Sequence, residues 1–167
     1  MKTLILVRHA KTEQLSFSSA KSDFERELKP RGHKDSEMIA RNLKRRHNPP
    51  DLIISSNAER AKQTAVNFAG LLGIDTRDIL LEPFLYGGYT SAELADYLSQ
   101  YNHDYDSIMI IGHNPEIESA AISLTGNTDL QFPTVGTIAI SFNVDSWQEI
   151  ETQRGNIEWF ITPKMLK

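Results

Sequence analysis

Apolar residues along this chain fall into short unbroken runs, separated by longer stretches with helical spacing. Leu4 to Val7 ("LILV"), the centre of "DLIISS" and the centre of "SIMIIGHN" are such runs. A short apolar run without alternation predicts a strand covered on both faces. "RGHKDSEMIARNLKRRH" carries Met38, Ile39, Ala40 and Leu43 at helical spacing and stops before "NPP". "NAERAKQTAVNFAGLLG" predicts a helix with Asn57 as its cap and Gly73 just past its end. "SAELADYLSQY" predicts another, capped by Ser91, and "PEIESAAISLTG" a further one with Pro115 in its first turn. "DILLE" reads as a short strand and "GTIAISFNV" as a longer one. "NIEWFITP" alternates in the way of a strand at a sheet edge.

Strand and helix alternate, and two strands follow. That order predicts an α/β fold: a three-layer α/β/α arrangement whose central sheet is mostly parallel and flanked by helices, with the last pair antiparallel at one side. No repeat or linker divides the chain, so residues 1–167 are expected to form a single domain. The longest polar stretch without a period is "EQLSFSSAKSDFEREL", expected to be a loop.

Composition narrows the function. The net charge of −4 gives no reason to expect a nucleic-acid partner. No apolar stretch approaches the roughly 20 residues that cross a bilayer, and Arg8 breaks the first apolar run too early for a secretory signal. A cytoplasmic protein without membrane contact is the expectation. Cysteine is absent, which excludes disulfides, thiolate metal sites and a cysteine nucleophile.

Three of the buried runs end alike: Val7 leads into Arg8 and His9, Ile54 into Ser55 and Ser56, and Ile111 into Gly112, His113 and Asn114. In α/β sheets ligands sit beyond the carboxyl ends of the parallel strands. Such a cleft would hold two histidines and the forked donors of Arg8, Arg60 and Arg26, which suit phosphate oxygens. His113 also precedes a helix start, where anions are favoured. An imidazole near neutral pH is largely unprotonated and is a competent nucleophile. No G-x-x-x-x-G-K-[ST] loop is present. A metal between His9 and His113 would be repelled by the neighbouring arginines, so neither metal nor cofactor is expected.

These residues also carry a family resemblance. "LVRHAKTE" resembles the R-H-G signature of the histidine phosphatase superfamily, with Ala10 where glycine is commonest. "IISSNAERAKQTA" is similar to that family's second signature, and "MIIGHNP" to its distal histidine segment. "SDFERELKPRG" looks like the S-D-x-x-R-x-L-x-x-x-G stretch of the SixA-type phosphohistidine phosphatases, as does the short chain without lid insertions. The resemblance implies a phosphoglycerate-mutase-like fold. It further implies that His9 becomes phosphorylated, that Arg8, Arg60 and His113 hold the phosphate, and that Arg26 closes the pocket from the long loop.

The general acid stays open. Many relatives take a carboxylate from the loop after the third strand. Here Glu82 lies close by, but Phe84 stands where "P-E-L" would place a glutamate. Asp23, three residues before Arg26, is the other candidate, and the site has a third option of no strong acid. A phosphohistidine leaves as imidazole, whose conjugate acid has a pKa of about 6.5, and so needs little protonation, whereas an alkoxide needs a great deal.

The expected function is therefore a metal-independent phosphatase acting through a phosphohistidine on His9. Its expected partner is a phosphohistidine-bearing protein, with a small phosphorylated substrate as the alternative and an inactive phosphate-binding module as the third reading. His33, His47 and His103 are expected on the solvated surface, and Trp147 and Trp159 in or beside the core. "LYGGY" reads as a turn whose tyrosines could border the cleft mouth.

Overall fold

The computed structural model describes residues 1–167. The strands are β1 (Lys2–Arg8), β2 (Leu52–Ser55), β3 (Leu80–Leu81), β4 (Ser107–Gly112), β5 (Thr137–Phe142) and β6 (Asn156–Ile161). The helices are α1 (Pro30–Arg46), α2 (Glu59–Leu72), α3 (Ser91–Leu98) and α4 (Glu116–Thr125). One sheet runs in the order β3-β2-β4-β1-β5-β6. The first four strands in that order are mutually parallel, and β5 and β6 pair antiparallel beyond β1. The fold is the α/β class read from the sequence, with β6 at an edge.

The unbroken apolar runs are explained by two cores, one on each sheet face. Leu4, Leu6, Ile108, Ile110, Ile138 and Ile140 point to the face covered by α3 and α4. Ile5, Val7, Met109, Ile111 and Ala139 point to the face covered by α1 and α2. Every second residue of a central strand thus meets a different helical layer, and neither set is free to be polar. Each large side chain removed from water this way contributes about 1.5–3 kcal/mol.

Several local details differ from the sequence reading. The "DILLE" strand shrinks to Leu80–Leu81, because Thr76–Asp78 form a 3-10 turn before it. The residue at the N-cap of α2 is Ala58, not Asn57; the Ser56 hydroxyl accepts from the Ala58 N–H at 3.2 Å. Helix α3 is capped by Thr90, not Ser91: Thr90 and Glu93 exchange side chain-to-backbone bonds of 3.1 Å each way. The Ser91 hydroxyl instead meets that of Ser123. Pro115 occupies the N-cap of α4, one place before its first turn.

A buried lysine was not foreseen. Lys2 is 2% exposed, and its ammonium donates to Asp106 Oδ1 and to the carbonyls of Asn102 and Tyr105 while lying over the Trp147 ring. All three of its donors are used, so the charge is satisfied at the end of the sheet opposite the cleft. Trp147 is fully buried and Trp159 half-buried. His103 is exposed; His33 and His47 are half-buried, His33 within 3.0 Å of Asn67 and His47 edge-on to Trp159.

Candidate active site

Strand register brings the three polar strand ends together. Arg8 lies beside Gly112 in the β1–β4 ladder, and Ser55 lies beside Ile111 in the β2–β4 ladder. The ladders extend past the named strands: His9 N–H donates to Gly112 O at 3.0 Å and Ser56 N–H to Ile111 O at 2.9 Å. His9 and His113 therefore emerge side by side, with ring centroids 5.2 Å apart.

The His9 ring is fixed by its neighbours. Its Nδ1 lies 2.8 Å from the carbonyl oxygen of Ala10, which only accepts, so Nδ1 carries the proton and Nε2 the lone pair. Burial pushes the His9 pKa down to about 3, and the charges at His113, Arg60 and Arg8 push the same way against the Ala10 hydrogen bond. His9 is thus a neutral imidazole at neutral pH. Burial likewise lowers His113 to about 4, with Arg60 the main charge behind it and Asp23 opposing. His113 Nε2 lies 2.8 Å from the Ser56 hydroxyl, while its buried Nδ1 has no partner within the protein.

Three arginines approach this pair from three elements. Arg8 donates from one terminal nitrogen to Phe132 O at 2.9 Å, a carbonyl that Asn114 also donates to, and its buried Nε has no protein partner. Arg60 comes from the first turn of α2 and is 5% exposed. Both its terminal nitrogens donate to Asp23, one to the carbonyl oxygen at 2.7 Å and one to Oδ2 at 3.1 Å. Its buried Nε has no protein partner. Arg26 reaches in from the long loop, ion-paired to Asp23 Oδ1 at 3.0 Å and donating to Thr12 Oγ1 at 3.1 Å.

That loop is anchored rather than free-standing. Thr12 bridges Leu28, Glu13 N–H donates to Glu27 O, and Lys21 ion-pairs with both Glu13 and Glu27. At its far end α1 packs so closely that a Cβ on Gly32 would lie 2.2 Å from the Lys11 carbonyl oxygen. Only glycine permits that approach.

The two acid candidates separate. Glu82 is half-buried and its N–H donates to Ser55 O at 2.7 Å, but no hydrogen bond or ion pair joins its side chain to the histidines or arginines. Phe84 beside it stacks between Tyr89 and Tyr97, which is why this position is aromatic. Asp23 is in the cluster. Burial pushes its pKa up, but the Tyr86 hydroxyl and the charges of Arg60 and Arg26 outweigh that and hold it below the ordinary carboxylate range. It is ionised at neutral pH, which suits an acceptor and not a proton donor.

Sequence reasoning passed over two supporting groups. Thr64, one turn after Arg60, accepts from Ala10 N–H at 3.0 Å and donates to Arg60 O at 2.8 Å. Ser56 was visible as a strand end, but its hydrogen bond to His113 was not. No group of three or more His, Cys, Asp or Glu side chains is arranged to hold a metal. No helix is long and apolar enough to cross a membrane.

Comparison with known proteins identifies the family and the fold. A family model described as the histidine phosphatase superfamily (branch 1) matches residues 4–126. An uncharacterised chloroplastic protein of Arabidopsis thaliana is 29% identical over 163 residues, which is 93% of this chain and 73% of that one. A protein of Agrobacterium tumefaciens, assigned as the phosphohistidine phosphatase SixA, superposes with a TM-score of 0.79 at 27% identity, covering 97% of this chain and 98% of that one. The protein histidine phosphatase SixA in complex with tungstate shares the fold, with a TM-score of 0.81 at 23% identity over 99% of both chains. A mycobacterial glucosyl-3-phosphoglycerate phosphatase shares it more distantly, at 0.68 and 15% identity, over 94% of this chain and 97% of that one.

Proposed function

We propose, for a chain that belongs to the histidine phosphatase superfamily (branch 1), that it is a metal-independent phosphatase which removes phosphate from phosphohistidine in a protein by way of a phosphoryl group on its own His9. Family and structural neighbours support phosphatase activity. The observation that carries the assignment of His9 as nucleophile is the state of its ring. It is neutral, with its proton held on Nδ1 by Ala10, and Nε2 stands unprotonated among Arg8, Arg60 and His113.

In this reading the Nε2 lone pair attacks phosphorus and the bond to the leaving group breaks. Water then cleaves the P–N bond to His9 and releases inorganic phosphate. Arg8 and Arg60 donate to the non-bridging oxygens, and fixed donors of this kind act on charge that shifts in the transition state. His113 Nδ1 is buried without a protein partner, and in the tautomer that carries its proton there, with Nε2 accepting from the Ser56 hydroxyl, His113 is an uncharged donor beside the nucleophile.

The leaving group follows from the acids. Asp23 is ionised and tied to two arginines, and Glu82 stands apart from the cluster. An alkoxide would depart without a proton donor, whereas imidazole departs readily. A protein carrying phosphohistidine is thus the favoured partner, a reading that the likeness to the Agrobacterium phosphohistidine phosphatase supports. The test is the specificity constant for a phosphohistidine protein against a panel of sugar and glycerol phosphates. The phosphohistidine protein is expected to lead by a wide margin. A sugar phosphate that leads instead, with most of that activity lost in Glu82→Gln, replaces this reading with a small-molecule phosphatase.

A further inference from the structure

Two aromatic rings and a carboxylate stand at the mouth of the site, and the phosphoryl chemistry does not use them. Tyr86 and Phe24 meet edge to face at 5.2 Å, and each is 38% exposed. The Tyr86 ring also stands edge-on to His113 at 5.5 Å, with the Arg60 guanidinium 6.0 Å from its centre. Its hydroxyl donates to Asp23 Oδ2 at 2.8 Å.

Asp23 is unusual in this cluster because its side chain stays 56% exposed while paired to two arginines. A carboxylate offers about four acceptor positions. Tyr86 and Arg60 share Oδ2, while Oδ1 lies in an ion pair with Arg26 but accepts no hydrogen bond within the protein, and the side chain that carries it is exposed. In-line displacement sends the leaving group away from the nucleophile. His9 is 8% exposed while Asp23, Tyr86 and Phe24 are exposed, so a group that departs opposite His9 moves toward the side on which these three residues lie.

We infer that Asp23, Tyr86 and Phe24 form a leaving-group subsite for a protonated imidazole ring. The inference rests on the phosphohistidine reading and deepens it. The two aromatic rings pack against the imidazole, and Asp23 Oδ1 accepts from the imidazole N–H that does not bear phosphorus. The bond that forms is His9 Nε2 to phosphorus, and the bond that breaks is phosphorus to the substrate ring nitrogen. The electron pair of that bond stays on the ring and cancels its positive charge. Imidazole leaves neutral, still carrying its other proton, and no proton has to be delivered.

The other charged or titratable groups around the position are Arg26, Arg60, Tyr86 and His113, with Lys21, Glu25, Glu27 and Glu59 around Phe24. Both guanidinium groups are already paired with Asp23, Tyr86 donates to it, and His113 is neutral. Asp23 is the carboxylate that lies with Tyr86 and the two guanidinium groups, and its Oδ1 is the oxygen that keeps a bound ring protonated.

The experiment compares N-phosphoimidazole with phosphoramidate, which has the same P–N bond and no ring, on wild type, Asp23→Asn and Tyr86→Leu. Asp23→Asn is expected to lower kcat/KM for phosphoimidazole at least about tenfold more than for phosphoramidate, the scale of one charge-assisted hydrogen bond. It is also expected to shift the alkaline limb of kcat on phosphoimidazole to lower pH, because the bound ring then loses its proton more easily. Tyr86→Leu is expected to show the same split between substrates. Equal losses on the two substrates, with an unmoved alkaline limb, overturn the subsite and leave Asp23 as a clamp on Arg60 alone. A wild type that turns over alkyl esters but neither P–N compound overturns the phosphohistidine reading itself.

Discussion

The Thr64 hydroxyl lies 3.0 Å from the backbone nitrogen of Ala10 and 2.8 Å from the carbonyl oxygen of Arg60. One side chain thus ties the residue after the nucleophile to the residue that grips phosphate. Thr64→Val keeps the shape and removes both bonds, leaving a buried Ala10 N–H without a partner. The expected cost is about 1–3 kcal/mol of unfolding free energy, read as a lower urea midpoint. Because Ala10 O orients His9, kcat is expected to fall about tenfold while Thr64→Ser retains most activity. A Val variant with wild-type kcat would show that Ala10 holds its position without Thr64.

Gly32 sets the base of the long loop through its contact with the Lys11 carbonyl oxygen. Lys29 N–H donates to that same oxygen at 3.0 Å. A methyl group at Gly32 must push α1 away from the chain segment that follows His9. Gly32→Ala is expected to destabilise by about 1–3 kcal/mol, the usual scale of overpacking, and to raise KM as Arg26 loses its seat. Thermal unfolding and steady-state kinetics check both parts.

Both histidines titrate far below the ordinary value of about 6.5 for this side chain. With His9 near 3 and His113 near 4, kcat/KM for a substrate of fixed ionisation is expected to show no break between pH 5 and 7 from either group. Stability behaves differently. As pH falls below 6.5 the unfolded chain takes up protons on these histidines while the native state does not. The unfolded state binds more protons in that window, so stability falls with falling pH until the native pKa values are reached. Urea midpoints from pH 7 to 4.5 measure the slope, which is expected to flatten in His113→Asn. A slope unchanged by that substitution would contradict the buried neutral state.

Arg8, Arg26 and Arg60 crowd the position where a cation would have to sit, so chelation is expected to leave the rate intact. EDTA dialysis followed by assay tests this. Loss of activity restored by zinc or magnesium would require a different arrangement of ligands from the one seen.

Much of this was legible in the sequence for local reasons. The buried strands announce themselves by runs of apolar residues, and parallel register then forces Arg8, His9, Ser56 and His113 to one end of the sheet. What escaped depends on contacts across long sequence distance. The clamp of Asp23 on Arg60 spans 37 positions, and nothing near either residue indicates it. Lys2 lies outside the apolar run of its strand, yet it is buried because residues a hundred positions away supply its acceptors. Asn57 has good capping chemistry, but the preceding serine already holds the Ala58 N–H. The place of Glu82 was uncertain because the sequence showed Phe84 without showing the Tyr89–Phe84–Tyr97 stack that explains it.

The central claim is that His9 carries the phosphoryl group. A brief reaction with labelled substrate, quenched in alkali and mapped by peptide mass, measures it most directly. The expected result is one phosphate on His9, stable in alkali and lost in acid, with both label and turnover absent from His9→Ala. Substantial turnover by His9→Ala, or label on another residue, would contradict the account.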